Sequence, residues 1–158
     1  MKHRVRAAAL IVSEGRIRLV EHQDHKGKKW WIPPGGGLED VDATIMDCAK
    51  REVLEETGLH VQIGDLRYIR EFIDNSNDTR HLELFFAAEL DGEQRIERTQ
   101  PAPTLYDHMI VSVKWFSRDE LRELVIFPEV LKEAYWDAPP IAGPVYLGVS
   151  IESDDRKS

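Results

Sequence analysis

The stretch from Thr44 to Gly58 constrains the fold more than any other part of this chain. Thr44-Ile45-Met46-Asp47 has the spacing of a capping box, with Asp in the place of the usual Glu, so a helix is expected to start there. Gly58 accepts the left-handed backbone that commonly closes a helix. Residues 44–57 therefore read as the main helix. On a wheel turned by about 100° per residue with Glu52 at zero, Glu56 falls near 40° and Glu55 near −60°. Ile45, Ala49, Val53 and Met46 span roughly 20° to 120°. The three glutamates thus border or overlap the apolar stripe, whereas Asp47 and Arg51 fall on the opposite side, where solvent is expected. Cys48, the one cysteine, can form no internal disulfide and is read as a small apolar filler within the helix.

Acids at a buried margin carry a cost that acids on a solvated face do not. Glu52 and Glu56 are i, i+4 neighbours of like charge, a destabilising pair in an isolated helix. At about 6 Å and an effective dielectric near 20 the repulsion is on the order of 3 kcal/mol, an upper figure where water reaches the pair. Ionising all three glutamates without a counter-ion should raise one pKa. A hard divalent cation removes the conflict, since Mg²⁺ takes oxygen ligands and is held by a few carboxylates plus substrate phosphates. Just before this helix, Trp30-Trp31-Ile32 reads as a short strand ending at Pro33-Pro34. Gly35-Gly36-Gly37 follows, read as a loop able to take positive φ and to let a ligand approach its backbone. Gly36 and Gly37 are candidate substrate-binding residues.

Elsewhere the pattern is mostly strand. Residues 4–12 and 16–21 are aliphatic-rich runs separated by Ser13-Glu14-Gly15, which suits a hairpin. Residues 22–29 read as a polar loop, residues 60–73 and 81–90 as strands, and residues 74–79 as a turn between them. Residues 91–106 read as a polar loop containing prolines. Val111, Val113 and Trp115 alternate with polar residues, as in a half-buried strand. Ser117 is expected to cap a short helix through Glu123, and Pro128 to begin a last helix running to about Tyr135. Residues 1–137 are expected to form one domain. Residues 138–158 form a C-terminal extension, partly disordered, in which residues 144–151 could add an edge strand.

The balance of charge narrows the partners. The net charge is −8, which argues against a nucleic-acid binder and means that a phosphorylated small molecule would need a local counter-charge, from a metal or from placed basic residues. Arg67, Arg70 and Arg80, in or beside strands, are the basic residues considered for that role, with Arg70 taken as the substrate-binding candidate. No apolar run approaches the roughly 20 residues that span a bilayer, and the apolar start is too short for a signal peptide, so a cytoplasmic protein is expected. His22 and His25, with no cysteine or third histidine nearby, make a weak case for zinc. His22 is read as solvated or at the edge of a substrate site, Trp31 and Phe85-Phe86 as core, and Trp30 as a residue that could stack on a base.

At this point the residues resemble the Nudix hydrolase family. Its box runs Gly, five residues, Glu, seven residues, then Arg-Glu-U-x-Glu-Glu-x-Gly-U, with U aliphatic. Arg51-Glu52-Val53-Leu54-Glu55-Glu56-Thr57-Gly58-Leu59 matches the second half at every specified position. Trp31-Ile32-Pro33-Pro34-Gly35-Gly36 looks like the usual lead-in, and Trp115-Phe116-Ser117-Arg118-Asp119-Glu120-Leu121 resembles a Trp strand entering a short helix. The first half departs from the pattern. Counted back from Arg51 the box's first Glu falls on Ala43, and counted forward from Gly36 it falls on Asp42, so we read one extra loop residue with Asp42 standing in.

The resemblance implies an α/β fold, a Nudix-type α/β/α sandwich with a mixed β-sheet. It implies Mg²⁺, with Mn²⁺ as an alternative, held by Glu52, Glu55 and Glu56, and Arg51 positioning a neighbouring acid. The implied reaction is hydrolysis of the pyrophosphate bond of a nucleoside diphosphate linked to another group, such as ADP-ribose or a nucleotide sugar. Alternatives are a nucleoside triphosphate pyrophosphatase of the nucleotide-sanitising type and a non-catalytic nucleotide-binding or regulatory module. Glu55 is a candidate general base, with Asp107 and then Glu83 behind it. Expected partners are a small nucleoside diphosphate derivative and no nucleic acid or membrane, with a homodimer left open.

Overall fold

The computed structural model describes residues 1–94, 99–101, 110–137 and 143–152. In chain order its elements are β1 (Lys2–Ser13), β2 (Arg16–Gln23), β3 (Lys29–Ile32), β4 (Gly35–Gly37), α1 (Ile45–Thr57), β5 (Val61–Asp74), β6 (Thr79–Leu90), β7 (Thr99–Pro101), β8 (Ile110–Ser117), α2 (Arg118–Leu121), a single 3₁₀ turn (Glu129–Lys132), α3 (Ala134–Asp137) and β9 (Val145–Glu152). The main path of the mixed sheet runs β7-β8-β2-β1-β6-β5-β9, with β3 on β2 and β4 on β1. Asp107, most of the polar loop after Asp91, residues 138–142 and the tail beyond Glu152 lie outside the described residues.

The sheet curls because the first hairpin opens. Glu14 and Gly15 have φ of 52° and 74°, the two left-handed positions of a tight hairpin turn. β1 and β2 pair only beside that turn, at Val12–Ile17 and Ser13–Arg16. Further along they part. β3 pairs with β2 through Trp31 and Ile32, and β4 pairs with β1 through Arg6–Gly37, Ala7–Gly36 and Ala8–Gly35. Pro33 and Pro34 lie where the chain passes from one strand to the other. They have no N–H for a ladder, while the Pro34 carbonyl accepts from Ala9 N at 3.0 Å.

β1 runs parallel to β6 over ten residue pairs, Lys2–Thr79 through Ile11–Ala88. Such a central strand is covered on both faces, and its sequence, Ala7-Ala8-Ala9-Leu10-Ile11, is apolar without alternation. One face carries Ala7, Ala9 and Ile11 and packs with Phe86 and Ala88 beneath Cys48, Ala49 and Val53 of α1. The other carries Ala8 and Leu10 and packs with Ile17, Leu19, Tyr68, Phe85 and Phe116 beneath Leu121, Ile126 and Leu131. This is a layered α/β arrangement with a mixed sheet, as expected; the sheet is curled and the helices are few. Trp31 is core, packed edge-on to Phe116 at 4.7 Å. Among the described residues no helix is long and apolar enough to cross a membrane.

Four local expectations are corrected. Gly35–Gly37 is a strand, and none of its glycines has a positive φ. Three residues without side chains carry no period, so the pattern could not reveal pairing decided by β1. The helix expected from Pro128 is broken into the 3₁₀ turn and α3, with Pro128 outside the turn as its cap and Glu133 non-helical between the pieces. α2 stops at Leu121 rather than Glu123. His22, read as solvated or at the edge of a substrate site, is not solvated: it is only 8% exposed and stacks on Trp30 with ring centroids 5.9 Å apart. In the C-terminal segment, β9 lies parallel to β5 at the edge of the same sheet.

Candidate active site

α1 is built as its termini suggest. The Thr44 hydroxyl accepts from Asp47 N and the Asp47 carboxylate accepts from Thr44 N, so the capping box closes in both directions. Gly58 ends the helix at φ 73°, its N–H donating to Leu54 O. The buried stripe consists of Cys48, Ala49, Val53 and Thr57. Met46, placed in the stripe by the wheel, is 44% exposed. Cys48, at about −40° on the same wheel, is buried, so the buried face extends past Glu52 and takes that glutamate inside its border.

Across from this face lies β4. Glu56 accepts the Gly35 N–H at 3.1 Å. The Glu52 carboxylate occupies the space a Cβ on Gly36 would take, so that such an atom would lie 2.5 Å from Oε1 and 2.7 Å from Oε2. A Cβ on Gly37 would collide with the Arg4 guanidinium, and one on Gly35 with the Ala7 carbonyl and Ala8. The glycines are required by close approach to β4 from both sides, rather than by a turn.

Arg51 sits at the centre of the acids, and its expected position in solvent is corrected. Its side chain is 20% exposed. Nε and Nη2 donate to the two Asp42 oxygens at 2.9 Å each, Nη2 also reaches Gly37 O at 3.1 Å, and Nη1 donates to Glu52 Oε1 at 2.9 Å. Glu55 is held more loosely, at 3.4 Å and 3.5 Å from Nη1. The long arginine crosses the helix surface to reach these partners, which a wheel of Cα directions cannot show. Asp42 therefore does occupy the place of an acid that anchors this arginine. Asp42 also closes a turn, its N–H donating to Glu39 O and its carboxylate accepting from Glu39 N.

The charges perturb one another in a readable way. The hydrogen bond from Arg51 holds the Asp42 carboxyl down at about 2. Burial pushes the Glu52 carboxyl above its usual range, Arg51 opposes this and Glu55 adds to it. Burial pushes the Cys48 thiol up to about 11, so it remains a neutral filler, and its Sγ–H reaches toward Gly36 O at 3.6 Å. Part of the charge conflict assigned to a metal from sequence is thus met by Arg51 and the Gly35 N–H. As the side chains stand, no three His, Cys, Asp or Glu residues among the described ones converge tightly enough to ligate a metal. The donor set itself fits one. Glu52, Glu55 and Glu56 offer hard carboxylate oxygens on one helix, and the Gly36 cradle admits a carboxylate against bare backbone.

On the other side of β4 a shallow cleft opens, lined by Arg6, Ile32, Gly35, Gly36, Arg70, Glu83, Phe85 and Phe127 among others. Arg70 lies in it beside Gly36, paired through Nε and Nη2 with one oxygen of Glu83 at 3.2 Å and 2.8 Å. Arg67 lies over the Tyr68 and Tyr135 rings, and Arg80 pairs with Glu71 at 3.2 Å, so neither joins the site. Sequence reasoning missed Arg6 and Phe127. Arg4 and Arg6, alternating on β1, were the one available signal for a basic strand face. Phe127 reaches the cleft through long-range bridging, its N–H donating to Trp31 O.

Comparison with known proteins agrees with the fold. The NUDIX domain profile matches residues 1–138. Phosphatase NudJ of Escherichia coli K12 is 33% identical over 120 residues, covering 76% of this chain and 72% of that protein. An ADP-ribose pyrophosphatase from Streptococcus suis is 25% identical with a TM-score of 0.60, covering 90% of this chain and 98% of that one. A MutT protein from Bacillus halodurans superposes with a TM-score of 0.68 at 22% identity, covering 96% and 92%.

Proposed function

This chain belongs to the Nudix hydrolase family, and from that premise we propose that it is a Mg²⁺-dependent hydrolase cleaving the pyrophosphate bond of a nucleoside diphosphate linked to another group. The observation that carries the reading is the opposition of Glu52 and Glu56 on α1 to the bare backbone of β4, with a cationic cleft on the far side of that strand. Glu52, Glu55 and Glu56 would hold the metal, Mg²⁺ or Mn²⁺, which when bound neutralises phosphate oxygens and lowers the pKa of an attacking water.

The chain's own groups do the rest. Asp42 and Gly37 O fix the guanidinium of Arg51, which in turn orients Glu52. The Gly35 N–H fixes Glu56. Glu55, 30% exposed and only loosely bonded to Arg51, is the carboxylate best placed to turn toward a water and accept its proton. Gly36 and Gly37 let the diphosphate approach the backbone, and Arg6 and Arg70 supply the counter-charge that an acidic protein must place locally. NudJ is described as a phosphatase and the Streptococcus suis protein as an ADP-ribose pyrophosphatase. The second is the activity closest to this proposal. The triphosphate reading has its own support in Arg4 and Arg6, which have no acid within ion-pair distance among the described residues. A cytoplasmic location fits such a substrate.

A panel of ADP-ribose, nucleotide sugars, nucleoside triphosphates and nucleoside diphosphates, assayed with Mg²⁺, tests the proposal. Release of two monophosphates from a linked diphosphate is expected, with Glu56→Gln reduced at least a hundredfold. Release of pyrophosphate from triphosphates would favour the second reading. No turnover by either protein would refute both.

A further inference from the structure

We propose that Arg4 and Arg6, with His81 beside them, form an anion site at the Gly37 end of β4, and that it takes a phosphate group additional to the diphosphate of the proposed reaction. The site rests on the chain's own charges; only the placing of that phosphate on a substrate rests on the hydrolase reading.

Two arginines at alternate positions of a strand point to the same face. Arg4 also reaches back along its strand. Its guanidinium lies where a side chain on Gly37 would stand, with Cζ 2.9 Å from the position of such a Cβ, and Gly37 is the register partner of Arg6. The Arg4 charge is thus carried to the level of Arg6, into space that only a glycine leaves open. The acids nearby are already engaged. Asp42, Glu52 and Glu55 pair with Arg51, and Glu83 pairs with Arg70. Among the described residues no ion pair joins Arg4 or Arg6 to an acid. In a chain of net charge −8, two cations held together without an acid repel each other, and a bound anion offsets that repulsion. The planar fork of arginine matches the oxygens of a phosphate in pairs.

His81 gives a second, independent sign of a ligand. In β6 it is the register partner of Arg4 on one side and of Phe72 on the other, and its ring stacks on Phe72 with centroids 5.7 Å apart. The residue is 8% exposed, and its Nδ1 is buried with no hydrogen-bond partner among the described residues. Buried polar atoms are normally paired. Burial, Arg6 and Arg4 hold the imidazole below its usual range, against the pull of Glu83 and Asp74, so at pH 7 it is neutral and carries a single N–H. The two arginines disfavour a metal cation as the missing partner and favour an oxyanion, to which a neutral imidazole donates. Arg4 is an exposed residue, so the site opens to solvent.

Calorimetric titration of the full-length protein with inorganic phosphate, in Mg²⁺ and again in EDTA, reads the site without turnover. One phosphate is expected to bind with affinities within twofold in the two conditions, since the cations are the protein's own, and to shift the imidazole resonances of His81 in NMR spectra. Arg4→Ala should weaken phosphate at least tenfold, the scale of a hydrogen bond between charged groups. Arg4→Lys, which keeps the charge without the fork, should recover part of the loss and guards against a folding artefact. His81→Phe, which keeps a ring against Phe72, should weaken phosphate about fivefold. Arg67→Ala removes a cation packed on Tyr68 and Tyr135 and should leave the affinity within twofold. No binding, binding that needs Mg²⁺, or binding that survives Arg4→Ala with the His81 resonances unmoved would overturn the inference. Turnover then identifies the source of the phosphate, in two pairs that differ by one phosphate group, ADP-ribose against its 2′-phosphate and ADP against ATP. A KM at least tenfold lower for the phosphate-bearing member, with the ratio reduced to within twofold in Arg4→Ala, places the group on the substrate. Equal KM values, with inhibition by inorganic phosphate that Arg4→Ala relieves, identify free phosphate as the ligand. Phosphate bound without turnover of any compound would keep the site and remove the hydrolase reading, and turnover without phosphate bound would do the reverse.

Discussion

Replacing Asp42 with Asn isolates the contact that ties the loop before α1 to Arg51. The substitution keeps the volume and removes the charge that both Nε and Nη2 of Arg51 address. The Asp42 carboxyl titrates near 2, against an ordinary 3.8. A difference of that size corresponds to roughly 2.5 kcal/mol of stability at neutral pH. The side chain is only 3% exposed while Arg51 is 20% exposed, so solvent screens the pair in part, and about 1–2 kcal/mol is expected. The folded-state value is depressed, so this stability is complete above about pH 4 and is lost as the pH falls from there toward 2. Urea unfolding of the native chain and of Asp42→Asn at pH 7, 5, 4 and 3 measures it. The two curves should be separated at pH 7 and 5 and approach each other at pH 3. A separation independent of pH, or none at pH 7, would refute the ion-pair account of how the irregular loop is tied to α1.

Three further outcomes follow from the same structure. Gly36→Ala puts a methyl group into the Glu52 carboxylate, so kcat/KM should fall about a hundredfold, as expected for displacing a group in a preorganised site, with circular dichroism unchanged; near-native activity would show that Glu52 can move freely. Chelation with EDTA should abolish turnover, with Mg²⁺ or Mn²⁺ restoring it and Ca²⁺ restoring less, since Ca²⁺ prefers longer bonds and higher coordination; turnover that survives exhaustive chelation would contradict the role given to the glutamates. Phe85→Ala removes a side chain 2% exposed in the larger core, and a loss of about 3–5 kcal/mol in urea unfolding is expected, a loss below 1 kcal/mol being incompatible with the packing described.

What could be read from the sequence was what is local to it. The start and stop of α1 depend on Thr44, Asp47 and Gly58, all within one turn of the helix ends, and each does what its residue type suggests. β5 and β6 announced themselves by composition, and the Asp74 turn between them by its Asx chemistry, with Asp74 accepting from Ser76 N and Asn77 N. The acids of α1 were legible as a group, but their partner was misplaced, because the reach of Arg51 exceeds what residue spacing describes. Asp42 was visible only as a counting ambiguity, and its contact with Arg51 depends on a side-chain reach that counting does not describe. The identity of Gly35–Gly37 as a strand and the cleft behind it were not legible at all. Both are made by β1, β5, β6 and Phe127 meeting across long stretches of chain, and no local pattern encodes such a meeting.

The bareness of β4 has a consequence for how such an enzyme can change. Its three glycines make a partition one backbone thick, with the acids of α1 on one side and the cleft on the other. The other residues that line the cleft come from β1, β3, β5, β6, Pro33 and Phe127, none of them from α1. Substitutions in the cleft can therefore alter which molecule is admitted without moving Glu52 or Glu56. The two sides can drift at different rates, and the glycines are the one place where a single methyl group would disturb both.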